Sequence, residues 1–429
     1  MFKTPKGTTD ILPEEQKYWS YIRKIACQTA EFFGYERLDT PLIEEAALFW
    51  RGVGQGTDIT EKEMYVFKDK SGTELALKPE GTAPACRAYL QHGMSSRPQP
   101  VRLYYLSPAF RYERPQSGRQ RQHHQVGFEA IGDASSSVDA EIIDLAWHFF
   151  QALGLHDIFL VLNSIGCSKC RPHYLEVLKT YYIPYKESLC PDCQIRLEKN
   201  PLRLLDCKNE NCQSIAEKAP RSFDYLCSEC KDHFDQLQSY LHAMELPFAL
   251  NHRLVRGLDY YTRTVFEIQP ESEGGQSTLG GGGRYDNLIE DLGGPPTPGV
   301  GFAAGIERII LNLKKEEVSV PELPRPLVYI AQNKADKEAI LLARNLRENL
   351  IGAILATGQK SLKSQLRQAN SLRVPYTVII GEEEIKNGTV ILRDMVTSTQ
   401  ETINKDSLIE KVKKLSSEKT SHEQPPSPK

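Results

Sequence analysis

Nothing in this 429-residue chain approaches the roughly 18-residue apolar run of a membrane-spanning helix. The opening stretch MFKTPKGTTDILPEE also lacks the apolar core of a secretory leader, so a cytoplasmic, thiol-reducing setting is expected. Neither glycine fingerprint for phosphate binding, G-x-x-x-x-G-K-[ST] or G-x-G-x-x-G, occurs between a strand and a helix. Any nucleotide must then be held by something other than a P-loop or a Rossmann turn. A generally basic coat is missing too: 53 Lys and Arg face 56 Asp and Glu, for a net charge of -3. The balance is uneven, with 17 basic and 12 acidic residues from Arg325 onward and 36 against 44 before it. A basic end on an acidic body suits an anionic partner, and it equally suits solvated helix faces.

What is present divides the chain into several pieces, as its length requires. VRLYYLSPAFRYE and QHHQVGFEAIG read as two strands of an antiparallel unit joined by a turn around Ser117 and Gly118. By strand parity Phe110 and Tyr112 share one face and Arg111 and Glu113 the other; Val126, Phe128 and Ala130 face the core, opposite Gln125, Gly127 and Glu129. Gly127 in mid-strand suggests close approach of a ligand. In GVGFAAGIERIILNL, Ile306, Ile309, Ile310 and Leu313 recur at helical spacing, which turns Arg308 away from the core. Three prolines in VPELPRP mark a linker at 320–326; the text beyond alternates β-α-β-α-β, and residues 416–429 have the composition of a disordered tail.

Several stretches carry chemistry. Glu80 and Thr82 in LKPEGTAP stand on a short loop that suits an ammonium group, although most such stretches are only turns. In LVRGLDYYTR the apolar neighbours of Arg256 predict partial burial, so the cation needs a partner: Asp259, or a bound anion. Tyr260 and Tyr261 are expected to split between core and cleft. Gly280 to Gly283 would let backbone approach a flat or anionic ligand. Eight of the ten cysteines fall within residues 166–250, as Cys167/Cys170, Cys190/Cys193, Cys207/Cys212 and Cys227/Cys230. Paired thiolates at this spacing suit two structural four-cysteine Zn²⁺ sites, and spacing leaves the pairing open.

These residues resemble a known family. FRYERPQSGRQRQHHQVGFE resembles motif 2 of class II aminoacyl-tRNA synthetases, GVGFAAGIERI resembles motif 3, and FGYERLDTPLIEE resembles motif 1. LVRGLDYYTRTVFE and GGGRYD are similar to the signature peptides of the histidyl-tRNA synthetase family, and KGTTDILP to its N-terminus. The resemblance implies a class II catalytic domain, α+β on an antiparallel sheet (1–165 and 251–319), with a cysteine-rich insertion domain (166–250) and a C-terminal α/β anticodon-binding domain (327–415). It also implies a homodimer built through motif 1, ligation of L-histidine to tRNA(His) through a histidyl-adenylate, and use of ATP with Mg²⁺. Arg111 and Arg308 would hold ATP phosphates, with Glu113 near the adenine. Glu80, Thr82 and Gln125 would surround the α-amino group of histidine, with Gly81 and Tyr260 in the same site. Glu129 and Tyr261 would read the imidazole, Arg256 would neutralise charge at the α-phosphate, and Gln116 to Arg121 would touch the acceptor stem. The competing expectation is a non-catalytic, histidine-sensing regulatory subunit of ATP phosphoribosyltransferase, which would lack the C-terminal domain.

Overall fold

Helix α1 (Gln16–Phe33) stops at Gly34, whose φ of 72° suits glycine, and the chain turns into the two-residue strand β1 (Glu36–Arg37). The computed structural model describes residues 2–54, 57, 59–115, 119–271, 278–358 and 360–420. Its contacts divide it into two units, Met1–Pro321 and Glu322–Lys429.

In the first unit the chain breaks at Pro41 and then forms β2 (Ile43–Glu45), α2 (Ala46–Gly52), β3 (Tyr65–Lys68) and β4 (Glu74–Leu77). These three strands make a small antiparallel sheet in the order β2-β4-β3, followed by α3 (Thr82–Gln91). The main sheet adds β5 (Val101–Phe110), β6 (Gln122–Ile131), β7 (Ile158–Ser164), β8 (Phe248–Leu250), β9 (Thr262–Pro270), β10 (Gly280–Arg284) and β11 (Gly299–Gly305). Its order is β1-β5-β6-β11-β10-β9-β7-β8. The pairs from β5 to β7 are antiparallel, and only the edge strands β1 and β8 run parallel to their neighbours. Val126, Phe128, Phe266 and Phe302 bury one face against α1, α4 (Ser136–Ala152) and residues of the Ile306 helix. The other face carries the site.

The cysteine-rich stretch folds as α5 (Arg171–Tyr182), α6 (Pro191–Lys199), α7 (Glu210–Ala216) and α8 (Ser228–Ala243), joined by short 3-10 turns. α8 returns Phe234, Leu237 and Leu241 to the main core, and β8 pairs with β7, so this stretch is continuous with the sheet at its end. After α9 (Leu288–Asp291), α10 (Ile306–Lys315) buries Ile306, Ile309, Ile310 and Leu313 as its period requires.

Two details differ from expectation. Strand β5 ends at Phe110, so Arg111 and Glu113 lie beyond the ladder, and Tyr112 is 52% exposed. Tyr112 instead carries the Arg121 guanidinium 3.7 Å above its ring. The strand signal ran past Phe110 because strand-forming residues continue there while the partner strand begins only at Gln122. The turn itself, Gln116 to Gly118, lies outside the described residues.

The second unit is β12 (Val328–Asn333), α11 (Asp336–Glu348), β13 (Ala353–Leu355), α12 (Leu362–Ser371) and β14 (Tyr376–Gly381). After α13 (Glu382–Asn387) an antiparallel pair, β15 (Thr389–Asp394) and β16 (Gln400–Asn404), extends the sheet to the order β13-β12-β14-β15-β16. The sheet is therefore mixed. α14 (Leu408–Thr420) carries helix through Ser416 to Thr420, where tail was expected. Residues 421–429 lie outside the described residues.

Candidate functional site

A cavity of about 730 Å³ opens on the face of the main sheet opposite the core. Nine of the expected site residues line it together: Glu80, Thr82, Arg111, Glu113, Gln125, Arg256, Tyr260, Tyr261 and Arg308. Glu129 and Gly81 do not reach the wall. A Cβ on Gly81 or Gly127 would come within 2.2 or 2.3 Å of the Tyr105 ring, so these glycines admit a tyrosine from β5. The space above Gly127 therefore belongs to the protein, not to a ligand. Register explains this, since Tyr105 is the cross-strand partner of Gly127.

Glu129 is the best-connected polar group beneath the cavity. It is 1% exposed and accepts hydrogen bonds from the Thr82 hydroxyl (2.7 Å), Tyr105 hydroxyl (3.1 Å) and Tyr285 hydroxyl (2.7 Å). Burial nevertheless pushes its carboxyl up to about 8, against the downward pull of those hydroxyls. Glu80 lies at the start of α3, where its two oxygens accept the backbone N–H of Thr82 (2.7 Å) and Ala83 (2.9 Å). It thus closes the helix N-terminus while facing the cavity. Burial, the larger influence, raises its pKa despite those two N–H donors. Tyr260 donates to Glu80 at 3.5 Å and Tyr261 lies under the Arg256 guanidinium, so both tyrosines border the cavity, instead of one serving the core.

Arg256 pairs with Glu267 on β9, and not with Asp259. Glu267 also accepts from Gln269 (2.8 Å) and Thr278 (2.7 Å), which fixes its carboxylate. A Cβ on Gly281 would lie 2.7 Å from Arg256 Nη1, and one on Gly280 2.6 Å from the Phe302 ring. The four-glycine run thus makes room for side chains already present. Arg284, the residue after it, is fully buried and donates to Asp139, Asp286 and two backbone carbonyls. Arg111 donates to the Pro79 carbonyl at 2.9 Å and Arg308 to the Thr278 carbonyl at 2.9 Å, so each reaches the cavity from a different wall. His123, which had no expected role, also lines the cavity; burial, with Arg111, His124 and Arg308 nearby, lowers its pKa to about 3 and keeps it neutral. His124 instead bonds Glu307 at 2.8 Å.

Similarity to known proteins agrees with this geometry. A family model for histidyl-tRNA synthetase matches residues 7–169 and 200–309, and an anticodon binding domain model matches 325–415. The chain belongs to the histidyl-tRNA synthetase family. A histidine–tRNA ligase of Dehalococcoides mccartyi is 58% identical over 416 residues, spanning 96% of this chain and 100% of that protein. One from Caldanaerobacter subterraneus is 45% identical over 413 residues, 96% of this chain and 99% of its own. The apo crystal structure of S. aureus histidyl-tRNA synthetase, at 38% identity, covers 96% of this chain and 100% of its own with a TM-score of 0.80.

Residues 170–199 fall between the two stretches that the histidyl-tRNA synthetase model matches, and they carry three of the eight paired cysteines. The fold gathers all eight into two groups. Cys167, Cys170, Cys227 and Cys230 form one, and Cys190, Cys193, Cys207 and Cys212 the other, with sulfur atoms within 4.8 Å of one another in each. The pairing is therefore nested. Sγ–Sγ separations of 3.8 Å for Cys167–Cys170, Cys167–Cys227 and Cys190–Cys207 match the edge of about 3.8 Å that a tetrahedron with about 2.3 Å metal–sulfur bonds requires. No cysteine is in a disulfide.

The raised pKa of Glu129 has a measurable consequence. The folded chain holds that proton more tightly than the unfolded one, so Glu129 favours folding most below pH 4.5, and this contribution is lost as pH rises toward about 8. The difference in unfolding midpoint between wild type and Glu129→Gln is expected to fall between pH 5 and 8. A pH-independent difference across that window would rule this out.

Proposed function

We propose that this chain activates L-histidine with ATP, releasing pyrophosphate, and transfers the histidyl group from the adenylate to the terminal ribose of tRNA(His). The observation that carries this reading is the single cavity in which Arg111, Arg256 and Arg308 stand beside the Glu80, Thr82 and Tyr261 cluster above Glu129. A regulatory, histidine-sensing role is disfavoured by full-length similarity to ligases and by the anticodon-type unit at 325–415.

Arg111 and Arg308 are assigned to the ATP phosphates. Arg308 supports this, because burial and the neighbouring Arg119 lower its pKa, and a polyanion relieves both strains. Mg²⁺ shares that phosphate charge when bound. Glu113 is placed near the adenine, and Gln125, Glu80 and Thr82 around the α-amino group, with Gly81 behind them making room for Tyr105. Tyr261 at the wall is assigned to the imidazole, with Glu129 beneath acting through the Thr82 and Tyr105 hydroxyls that it holds: one ring nitrogen carries a proton and the other does not, so the ligand needs both an acceptor and a donor. Arg256 stabilises charge at the α-phosphate as the histidine carboxylate attacks. Arg119 and Arg121 at the base of the hairpin are left for the acceptor stem.

The domain roles follow: catalysis by 1–165 and 251–319, a metal-stapled insertion at 166–250, a linker at 320–326 and anticodon binding by 327–415. Among the described residues no helix is long and apolar enough to cross a membrane, and ten free thiols fit a reducing cytoplasm.

Amino-acid-dependent ATP–pyrophosphate exchange, run with all twenty amino acids, is expected to respond to histidine alone. In that assay Arg256→Ala should retain the fold and lose about 10²-fold or more in rate, the scale for one preorganised charge-stabilising group. Near-normal exchange by the mutant would remove Arg256 from the chemistry. We assign one Zn²⁺ to each cysteine group, in a structural role, since four thiolates leave no open position. Anaerobically purified protein should carry about two zinc ions per chain, and well under one would sink the assignment. The homodimer is supported by exposed Leu42, Ile43, Val66 and Phe67 on the small sheet, apolar area that a second copy would cover. Sedimentation should give about twice 48.5 kDa, and a monomer mass would reject it.

A further inference from the structure

The inner cysteine group does more than staple its own loops. Cys207 lines the substrate cavity, as do Arg203, Leu205 and Lys208 from the same segment. That segment also leans on the loop bearing Arg256. Asn200 Nδ2 donates to Asp259 Oδ1 at 3.0 Å, and a Cβ on Gly257 would lie 3.6 Å from Arg203 Nη1, so the Arg203 head rests beside the residue that follows Arg256. Leu204 and Leu205 belong to one apolar cluster with Leu254, Val255, Tyr260 and Tyr261. The contact is incomplete: beside that hydrogen bond a second cavity of about 180 Å³ is lined by Asn200, Leu202 and Arg203 and by Arg256, Leu258 and Asp259.

We propose that the Cys190, Cys193, Cys207 and Cys212 centre is a positioning device for Arg256, with Asn200 and the 202–205 turn as the residues that transmit its order to the 254–261 loop. The inference rests on the assignment of Arg256 to adenylate formation. The reason lies in what else holds the segment. Between Cys193 and Cys207 the chain offers only the end of the nine-residue helix α6 and the 3-10 turn Pro201–Leu204. A helix that short is not stable by itself in water. A metal ion joining all four cysteines closes the segment at both ends. Without it the segment keeps only the buried Leu197, Pro201, Leu204 and Leu205 as anchors, set against a loop already bordered by a void. The outer cysteine group is different, because α8 beyond it is held by Phe234, Leu237 and Leu241 in the main core. Arg256 has one strong tie, to Glu267, and its Nε is buried without a hydrogen bond, so its placement depends on how its loop is held. A catalytic cation displaced by about 1 Å can cost about 10² in rate.

The test uses the full-length protein and Cys193→Ser, a buried ligand that does not line the cavity. Bound zinc should fall by about one per chain. Hydrogen exchange should show lost amide protection in 200–213 and also in 254–261, and kcat for histidine-dependent pyrophosphate exchange should drop at least about tenfold, with KM for histidine changing much less. Restoring zinc to chelator-stripped wild type should reverse all three. Loss of zinc and of protection in 200–213 with 254–261 still protected and kcat unchanged overturns the proposal. If Cys193→Ser does not fold, the double variant Asn200→Ala/Leu205→Ala keeps every cysteine. It should retain its zinc and still lose kcat, and a wild-type kcat there overturns the proposal as well. Wild type that shows no histidine-dependent exchange would refute the aminoacylation reading, and the protection of 254–261 would still decide the coupling.

Discussion

Arg256 lies against the four-glycine run of β10, and the rest of the site is arranged around that contact. The guanidinium fits over β10 only because Gly281 leaves its space, and it stays there because Glu267 on the adjacent strand holds it. Glu267 is itself held by Gln269 and Thr278. A buried cation on a sheet is costly unless paired, and paired too completely it has nothing left for a substrate. Here one carboxylate fixes the position while the cavity side stays open. Glu129 meets the same constraint differently: burial holds its proton up to about pH 8, and three hydroxyls satisfy its oxygens. Polar groups in this site are satisfied by protein neighbours on and beside the sheet, which lets the surface above them be complementary to a zwitterion and a polyphosphate.

Much of this was legible in the chain. Local patterns carried it where the chemistry is local: the apolar parity of Val126, Phe128 and Ala130, the helical period of Ile306 to Leu313, and the short motifs bearing Glu80, Arg256 and Arg308. What escaped was set by register. Tyr105 and Glu267 reach the site because β5 pairs with β6 and β9 with β10, and no spacing along the chain announces which residues come opposite which. The glycines mislead for the same reason. Gly127 and Gly280 read as room for a ligand, yet Tyr105 and Phe302 occupy it. Arg284, which no local pattern singled out, is a core cation tied to α4 through Asp139.

The cysteines show both limits together. Their spacing identified the thiolate pairs, and the pairing of pairs was open because it depends on how α5 to α8 fold back. That fold-back brings the first pair to the fourth and the second to the third.

A nested order of this kind has a consequence for assembly. Only 13 residues separate Cys193 from Cys207, whereas 56 separate Cys170 from Cys227. The inner loop closes at the lower entropic cost, and once shut it shortens the effective span that the outer pair must bridge. An interleaved order would need one loop to be partly formed before the other could find its partners. Here each centre can be completed while the next remains open, in the order in which the chain leaves the ribosome, with no step requiring one strand to pass through a ring already made.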